Sequence, residues 1–452
     1  MKLPDPSDTI VAQATPPGAG AIAVLRLSGP GAFAAASGFL SPRPKPAHRR
    51  AYILSVMDGG RLVDRVVAVF FKGPSSYTGQ DTVEVSCHGS PYITRTLLNL
   101  AVKNGARVAA PGEFTLRAFL NGKLDLAQAE AVGELIKSSS AGAHRAALTQ
   151  AEGGISGRVR EIRAALVSLL AQLEARLDDT YEEIRELDLN SFGRGAAAAE
   201  KLIAGLAAGY AAGRGIRDGF GVAIAGAPNS GKSSLLNALL GYERALVSRA
   251  SGTTRDTLEA ELEIDGFTVR LTDTAGLNAL RPAALERAGM RRARKALAAA
   301  DMVLLVRDAS VSETPSDRRA AREAGACGAE VLEVFNKADL PRRRAPSPGG
   351  FLVSCRTGQG LERVRRALVA RQKKTFSDGA QAAVTSARHF EALSGAAGEL
   401  AAMRSLLKTK NPPLELAAER LRLALGKLAL ILGETAPEEV LADIFSKFCV
   451  GK

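Results

Sequence analysis

The hydrophobic positions of the chain follow different spacing patterns in successive segments. Residues 1–118 carry short runs rich in apolar and β-branched residues, bounded by Gly and Pro, such as Ile22–Leu27, Val66–Phe71 and Thr82–Ser86. Runs of this kind are typical of short strands and predict a compact α+β domain. From about residue 123 to residue 217, apolar residues instead recur every three or four positions, which predicts helices.

A third pattern begins near residue 220 and ends near residue 375. Short apolar runs suited to buried parallel strands alternate there with helical stretches, at Val222–Ala225, Val269–Thr272, Met302–Val306, Val331–Phe335 and Leu352–Ser354. Residues 385–452 return to helical spacing, with a leucine-rich stripe on each side of Asn411-Pro412-Pro413. Two helical blocks therefore flank the alternating region. We expect them to pack as one bundle into which the alternating domain is inserted; two separate helical hairpins are the alternative.

These patterns divide the chain into four segments. Residues 1–118 are predicted to form the N-terminal domain, and residues 218–376 an α/β domain with a mostly parallel sheet. Residues 119–217 and 377–452 are predicted to be the two parts of one helical domain.

Composition and charge narrow the class of protein. The chain has 452 residues and 46% hydrophobic residues, but no apolar run approaches the roughly 18 residues of a membrane span. Its net charge of +13 suits an anionic partner such as nucleic acid, or reflects a solvated basic surface. Four cysteines without metal-ligand spacing, and a first segment without signal or transit features, predict a reducing, cytoplasmic location.

The most specific motif occupies residues 226–233, which read Gly-Ala-Pro-Asn-Ser-Gly-Lys-Ser and follow a predicted strand. The spacing matches a phosphate-binding loop, whose backbone N–H groups and following helix N-terminus surround phosphate oxygens. Lys232 is expected to contact the β- and γ-phosphates. The Ser233 hydroxyl is expected to hold Mg²⁺, which prefers oxygen ligands. The motif predicts a nucleoside triphosphate site.

Two later segments are expected to sense the γ-phosphate. Thr254, within Gly252–Asp256, is the predicted Mg²⁺ ligand of a loop that orders in the triphosphate state. Asp273-Thr274-Ala275-Gly276 closes a predicted strand. Asp273 is expected to hold Mg²⁺ through water, and the Gly276 N–H to meet the γ-phosphate.

The base is predicted to be guanine. Asn336-Lys337-Ala338-Asp339 follows another predicted strand, and Asn336 and Asp339 are expected to read the guanine edge. A carboxylate accepts from guanine N1–H and the exocyclic amine, which adenine cannot offer in that arrangement. Ser354-Cys355-Arg356 is expected to form the backbone loop that meets guanine O6. The order of these motifs predicts an enzyme that hydrolyses GTP.

Hydrolysis requires an oriented water molecule, and Leu277 stands where Ras-like enzymes place a Gln for this purpose. Two other residues offer a replacement. The amide of Asn229 either ligates a monovalent cation beside the β- and γ-phosphates or stabilises the loop. Glu286 either positions the water through a second water or is a solvated helix residue.

Strings along nearly the whole chain resemble the MnmE/TrmE family of tRNA-modification GTPases. They are Asp8–Gly18, Ser76–Gly79, Cys87–Gly89, Pro111–Thr115, Arg117–Leu126 and Phe448–Lys452. Ribosome-assembly GTPases share the nucleotide motifs without these flanking strings. The fold class implied is α/β plus α: a Ras-like P-loop GTPase domain inserted in a helical domain, preceded by an α+β tetrahydrofolate-binding domain.

The resemblance implies that the N-terminal domain forms a homodimer and binds 5-formyl- or 5,10-methylene-tetrahydrofolate through Arg26, Glu84, Lys123 and Lys452. It also implies that Cys449 is a functional thiol near the folate, whereas the residue alone is equally compatible with a small buried hydrophobe.

The resemblance extends to the cations and the whole nucleotide site. K⁺ would be held by Asn229, Ser248, Ala250 and Thr253, and Mg²⁺ by Ser233, Thr254 and Asp273. Residues assigned to catalysis are Glu286, Thr253, Gly276 and Cys449. The remaining nucleotide or cation contacts are Gly226, Ser230, Gly231, Lys232, Ser234, Arg249, Ser251, Gly252, Thr274, Ala275, Asn336, Lys337, Asp339, Ser354, Cys355 and Arg356.

The implied activity is GTP-dependent addition of a carboxymethylaminomethyl group to C5 of the wobble uridine of certain tRNAs. The implied partner is an FAD-dependent MnmG/GidA-type subunit in a heterotetramer. A regulatory GTPase switch in ribosome or RNA assembly, without modification chemistry, is the alternative that the nucleotide motifs leave open. The N-terminal strings and Cys449 favour modification.

Overall fold

The computed structural model describes residues 5–177, 188–241, 259–273, 296–298, 300–376 and 384–451. The strands are β1 Ile10–Gln13, β2 Ile22–Ser28, β3 Leu40–Ser41, β4 Ala51–Asp58, β5 Arg61–Phe71, β6 Thr82–His88, β7 Arg107–Val108, β8 Phe220–Gly226, β9 Glu259–Ile264, β10 Phe267–Asp273, β11 Met302–Asp308, β12 Glu330–Asn336 and β13 Phe351–Leu352. The helices are α1 Ala32–Ser37, α2 Pro91–Lys103, α3 Glu113–Leu120, α4 Leu126–Lys137, α5 Ala141–Ala151, α6 Gly154–Leu177, α7 Leu189–Ala208, α8 Tyr210–Asp218, α9 Lys232–Gly241, α10 Pro315–Gly325, α11 Leu361–Phe376, α12 Ala387–Leu406, α13 Leu414–Leu432 and α14 Glu438–Ser446.

Internal contacts divide the chain into two compact units. Unit 1 comprises Met1–Gly133, Gln150–Ile203 and Ala392–Lys452, and unit 2 comprises Glu134–Thr149 and Ala204–Glu391. Among the helices of the described ranges, none is long and apolar enough to cross a membrane.

The sheet of unit 1 has the strand order β3-β4-β5-β6-β2-β1-β7. Its neighbours are antiparallel except for β1 and β7, which are parallel. Strand β5 alternates between buried residues, such as Val66, Ala68 and Phe70, and more exposed ones. This period of two directs one face of the sheet toward a core that α1 and α2 share. The predicted strands of this region are confirmed.

Helix α6 carries the leucine pattern of the predicted helical segment, with Ile162, Leu166, Leu169 and Leu173 buried along one side. It packs against α13 of the second helical block. An ion pair of 3.0 Å between Arg422 and Glu174 joins the two helices at the surface. The two blocks therefore pack together, as predicted.

The sheet of unit 2 has the strand order β13-β12-β11-β8-β10-β9. Its neighbours are parallel except for β9, which is antiparallel to β10. Helices α9 and α11 pack on one face, and α10 packs on the other. The β13 prediction was wrong at its end: the strand stops at Leu352, because Ser354 turns to bond the backbone of Gln359 at 2.9 Å.

Candidate functional site

The loop between β8 and α9 requires glycine at two positions. Gly226 has φ +151°, and a Cβ there would lie 2.2 Å from the carbonyl oxygen of Val306 on the neighbouring strand. Gly231 has φ +95°, and a Cβ would lie 2.1 Å from Nδ2 of Asn336. A positive φ and a close neighbour, the Val306 backbone at Gly226 and the Asn336 side chain at Gly231, therefore explain both glycines of the motif. Between them, Asn229 adopts the left-handed conformation at φ +62°, which Asn tolerates better than most residues.

Lys232 is held inside this loop. Its ammonium donates hydrogen bonds of 3.0 Å to the carbonyl oxygen of Gly226 and 2.8 Å to that of Ala227. Burial lowers the pKa of Lys232, although the carboxylate of Asp273 acts in the opposite direction. An anionic ligand in the loop would compensate the buried charge, as a phosphate group does.

Two oxygen-bearing side chains that suit a hard metal ion contact each other beside Lys232. The Ser233 hydroxyl, in the first turn of α9, donates a hydrogen bond of 2.8 Å to Oδ2 of Asp273 at the end of β10. Asp273 is fully buried. A hydroxyl and a carboxylate at this position fit the oxygen ligands that Mg²⁺ prefers.

Ser230 is a further residue of the loop whose side chain could contact a polar ligand. Its hydroxyl is buried, and within the part of the chain that the structure describes it has no hydrogen-bond partner. An unpaired buried hydroxyl costs about 1–3 kcal/mol, so a ligand oxygen here would restore a lost hydrogen bond.

Asn336 connects three of the predicted motifs. Its amide nitrogen donates a hydrogen bond of 3.2 Å to the carbonyl oxygen of Ser230, and its amide oxygen accepts one of 3.2 Å from the backbone of Cys355. It is almost completely buried. Asn336 therefore joins the phosphate loop to the loop at Ser354–Arg356.

Asp339 lies in the same group. Its Oδ1 accepts a hydrogen bond of 2.7 Å from the Ser354 hydroxyl, and Arg356 pairs with its Oδ2 at 3.0 Å. The bond from Ser354 and the charge of Arg356 lower the pKa of Asp339, so the side chain is an ionised carboxylate that can accept hydrogen bonds from the N–H groups of a nucleotide base. Lys337 forms an ion pair of 2.6 Å with Asp308 at the end of β11.

Several predicted residues lie outside the described ranges. They are Ser248, Arg249, Ala250, Ser251, Gly252, Thr253, Thr254, Thr274, Ala275, Gly276, Glu286 and Lys452. Ser234 is described as an exposed residue of α9.

A second site of predicted residues lies in unit 1. Arg26 on β2 and Glu84 on β6 are partners in the sheet register, and their side chains form an ion pair of 2.7 Å. The Arg26 guanidinium lies 5.6 Å from the ring centre of Tyr77 and 5.7 Å from that of Phe114. Tyr77 and Phe114 were not predicted as residues of the folate site, although both lie in sequence segments that carry the family resemblance.

The C-terminal segment reaches this pair. Nη1 of Arg26 lies 3.5 Å from the carbonyl oxygen of Gly451, and the backbone of Gly112 donates a hydrogen bond of 3.4 Å to Cys449. Cys449 itself is exposed. Lys123 is more loosely placed, with its ammonium 3.2 Å from the carbonyl oxygen of Pro74. In the described residues, no three His, Cys, Asp or Glu side chains form a metal cluster.

In unit 2, the parallel strands β8, β10, β11 and β12 end at one edge of the sheet, and the loop of residues 226–233, the Ser233–Asp273 pair and the loop that begins at Asn336 follow them there. This arrangement is that of the P-loop GTPases, which hydrolyse GTP.

Comparison with known proteins shows to which family of P-loop GTPases the chain belongs. A family described as the MnmE helical domain matches residues 126–449, and one described as the GTP-binding protein TrmE N-terminus matches residues 9–123. The chain belongs to the MnmE family of tRNA modification GTPases.

Individual relatives match over nearly the full length. The tRNA modification GTPase MnmE of Cytophaga hutchinsonii is 38% identical over 99% of this chain and 98% of its own. The protein of the same name from Syntrophotalea carbinolica is 41% identical over 98% of this chain and 99% of its own. Among solved structures, the G domain of the T. maritima FeoB iron transporter is 25% identical, covering 33% of this chain and 96% of its own, with a TM-score of 0.25.

Proposed function

We propose that this chain is the GTP-hydrolysing subunit of a complex that adds a carboxymethylaminomethyl-type group to C5 of uridine 34 in certain tRNAs. The complex would use GTP, 5-formyl- or 5,10-methylene-tetrahydrofolate and an FAD-containing MnmG/GidA-type partner. Family membership supports the tRNA substrate. The observation that supports the folate assignment is the Arg26–Glu84 ion pair, whose guanidinium lies beside the rings of Tyr77 and Phe114 and near the backbone of Gly451.

In the nucleotide site, this chain's residues bind and orient GTP. Lys232 would exchange its bonds to loop carbonyls for bonds to β- and γ-phosphate oxygens, and Ser230 would gain the partner it lacks. Ser233, Asp273 and Thr254 would hold Mg²⁺, which supplies charge neutralisation at the bridging phosphate oxygens when it is bound. Thr274, Ala275 and Gly276 would complete the γ-phosphate contacts.

We assign cation-assisted hydrolysis to the same site. Asn229 lies between the two glycines of the phosphate loop, and an amide oxygen is a ligand that a monovalent cation accepts, which supports this assignment. Asn229 would hold K⁺ together with Ser248, Ala250 and Thr253, while Glu286 would orient the attacking water. The electrostatic contribution would be that of an arginine finger.

In unit 1, Glu84 would bind the amino-pyrimidine edge of the folate. A carboxylate accepts two parallel N–H bonds from such an edge, and Arg26 holds this carboxylate from the neighbouring strand. Lys123 and Lys452 would bind the anionic glutamate end, and Cys449 would face the carbon unit. The folate and the flavin would supply the one-carbon chemistry.

The proposed assembly is a homodimer joined through the N-terminal domain, residues 1–118, and a heterotetramer with the flavoprotein, in the cytoplasm where tRNA occurs. The helical domain would comprise residues 119–217 and 377–452, and the GTPase domain residues 218–376. Nucleotide-dependent movement of the GTPase domain would be coupled to modification.

The experiment compares the full chain with Arg26→Gln and Glu84→Gln. Both variants should lose reduced folate on gel filtration and lose modified wobble uridine in cells, measured by nucleoside mass spectrometry, while their GTP turnover stays unchanged. The exposed pair Arg422 and Glu174 offers a matched control, since the same substitutions there remove an equivalent ion pair on helices.

The folate measurement and the nucleoside measurement test separate parts of the proposed function. Folate retained by both variants would overturn the folate assignment. If cells lacking the protein keep normal wobble uridines, the modification function is wrong and the regulatory alternative is favoured.

A further inference from the structure

An exposed cationic surface lies at one end of the sheet in unit 1. We define it by Arg43, Lys45, Arg49, Arg50 and Lys72, all of which are exposed. Within the described ranges, none of these side chains forms an ion pair with a carboxylate. Five neighbouring positive charges without a counter-charge create a local positive potential that attracts anions.

The sequence leaves this surface without acidic neighbours along the chain. Between Asp8 and Asp58 there is no Asp or Glu. Some other exposed arginines of unit 1 are paired, as Arg160 is with Asp125 and Arg420 with Glu399. The segment that carries Arg43, Lys45, Arg49 and Arg50, in contrast, has no carboxylate of its own to compensate its charge.

The loop that carries the surface is fixed in shape. The Tyr52 hydroxyl donates a hydrogen bond of 2.7 Å to the carbonyl oxygen of Lys45 and accepts one of 3.0 Å from the backbone of Ala47. The backbone of Arg49 donates a hydrogen bond of 2.8 Å to Phe70 of β5. The backbone that carries the cations is therefore held in a defined arrangement, which lowers the backbone entropy lost when the surface binds a ligand.

Lys72 is tied to the same loop. Its backbone N–H donates a hydrogen bond of 3.0 Å to Nδ1 of His48. This bond brings the end of β5 beside the loop, so cations that are separated in the sequence share one surface.

We propose that the cationic surface binds the phosphate backbone of tRNA, an inference that rests on the proposed tRNA substrate. Phosphate contacts by Lys and Arg position a nucleic acid without reading its sequence. The Tyr52 ring packs edge-on against Phe70 with ring centres 5.7 Å apart, and the Arg50 guanidinium lies 5.7 Å from its centre, so this ring does not present a free face for base stacking. The surface therefore positions tRNA and leaves the choice of tRNA to other contacts.

The test uses the full chain, with and without its flavoprotein partner, and the variant Arg43→Gln/Lys45→Gln/Lys72→Gln. Within the part of the chain that the structure describes, these three side chains are exposed and form no ion pair. The control variant Lys201→Gln/Lys408→Gln/Lys410→Gln removes three exposed cations from the helical part of unit 1. Binding of unmodified tRNA is measured over a series of salt concentrations.

The surface variant should bind tRNA roughly tenfold more weakly near 0.1 M salt, and the slope of log affinity against log salt should fall by about 2. The loss should be equal for substrate and non-substrate tRNAs. GTP turnover should not change, and the control variant should bind as the wild type does.

The possible failures are distinguishable. If the surface variant binds tRNA with wild-type affinity and salt dependence, the cationic surface is not a tRNA site and the proposed function is unaffected. If the wild type retains no tRNA, alone or with its partner, the proposed function itself fails and the surface assignment with it. Selective loss of binding to vesicles of anionic lipid, with tRNA binding intact, would overturn the proposal in favour of a membrane contact.

Discussion

Ser233 and Asp273 are joined by a hydrogen bond of 2.8 Å between the hydroxyl and Oδ2. The bond connects the first turn of α9 to the end of β10, residues separated by 40 positions in the chain. Two oxygen atoms of a kind that Mg²⁺ accepts as ligands therefore lie together beside the phosphate loop. Because their geometry is set by the fold, changing either group should affect metal-dependent catalysis more than stability.

The first prediction follows from this pair. Ser233→Ala should lower Mg²⁺-dependent GTP turnover by roughly 100-fold, since the charge stabilisation that a bound metal gives is worth several kcal/mol. Turnover is measured over a titration with MgCl₂. Ser233→Thr keeps the hydroxyl and should retain most activity, and Asn237→Ala, on the exposed side of α9, should have no effect. Equal turnover by Ser233→Ala and Ser233→Thr would show that the hydroxyl holds no metal.

The second prediction concerns the base. Asp339→Asn should weaken GTP binding by roughly 10- to 100-fold, because hydrogen bonds to a charged group are worth about 1.5–3 kcal/mol. The same variant should bind xanthosine triphosphate better than the wild type does, since the amide can donate to the second oxygen of xanthine. Competition with a labelled nucleotide measures both affinities. Arg356→Gln keeps the carboxylate and should keep the guanine preference, so a switch in that variant as well would remove Asp339 from the base contact.

The third prediction concerns the dependence of GTP turnover on K⁺. Wild-type turnover should be roughly tenfold or more faster in K⁺ than in Na⁺ at equal ionic strength, because a cation at the phosphates substitutes for an arginine finger. Asn229→Ala should remove the difference. Ala at φ +62° also strains the backbone, by about 1–2 kcal/mol, so this variant alone is ambiguous.

Asn229→Gly resolves the ambiguity. Glycine adopts this conformation without strain and lacks the amide, so it too should turn over GTP equally in both salts. A glycine variant that keeps the K⁺ preference would assign the effect of Asn229→Ala to the loop backbone and would remove the amide from the cation site.

The sequence predicts those features of the fold that depend on the spacing of residues within a short segment. The apolar runs locate β8, β10, β11 and β12, because strands buried on both faces have a continuous apolar pattern. Strand β9, Glu259–Ile264, was not predicted, because it lacks such a continuous apolar run; its charged and apolar residues alternate, as is typical of a half-exposed edge strand, and it pairs antiparallel with β10. The phosphate loop is also a local feature, since two positions with positive φ and a close neighbour require glycine at a fixed interval.

Contacts between residues that are far apart in the sequence could not be predicted from residue spacing within one segment. The bond from Asn336 to Ser230 joins positions 106 residues apart, and Arg26 meets Glu84 across 58 residues. Such pairs depend on strand order and register, which no spacing in one sequence encodes. The family resemblance supplied Arg26 and Glu84, whereas the ring of Tyr77 beside Arg26 emerged only from the structure.

The last prediction concerns the C-terminal segment. Gly451 has φ +97°, and a Cβ there would lie 2.3 Å from the carbonyl oxygen of Gln13 on β1. Gly451→Ala should therefore displace the segment and separate its carbonyl oxygen from Arg26. Gly451 is buried, and a left-handed alanine costs about 1–2 kcal/mol, so we expect the free energy of unfolding to fall by no more than this amount if the segment moves away from β1.

This displacement should have a selective effect on the site in unit 1. Since the segment contributes to the surroundings of Arg26 and carries Cys449, Gly451→Ala should reduce folate retention and wobble-uridine modification while GTP turnover stays at the wild-type level. The neighbouring Val450→Ala, at a side chain that is 50% exposed, should change neither quantity. Normal folate retention by Gly451→Ala, with a normal thermal midpoint, would mean that the segment packs against β1 for reasons unrelated to the ligand. A loss that Val450→Ala reproduces would instead point to the general order of the segment and not to the close approach at Gln13.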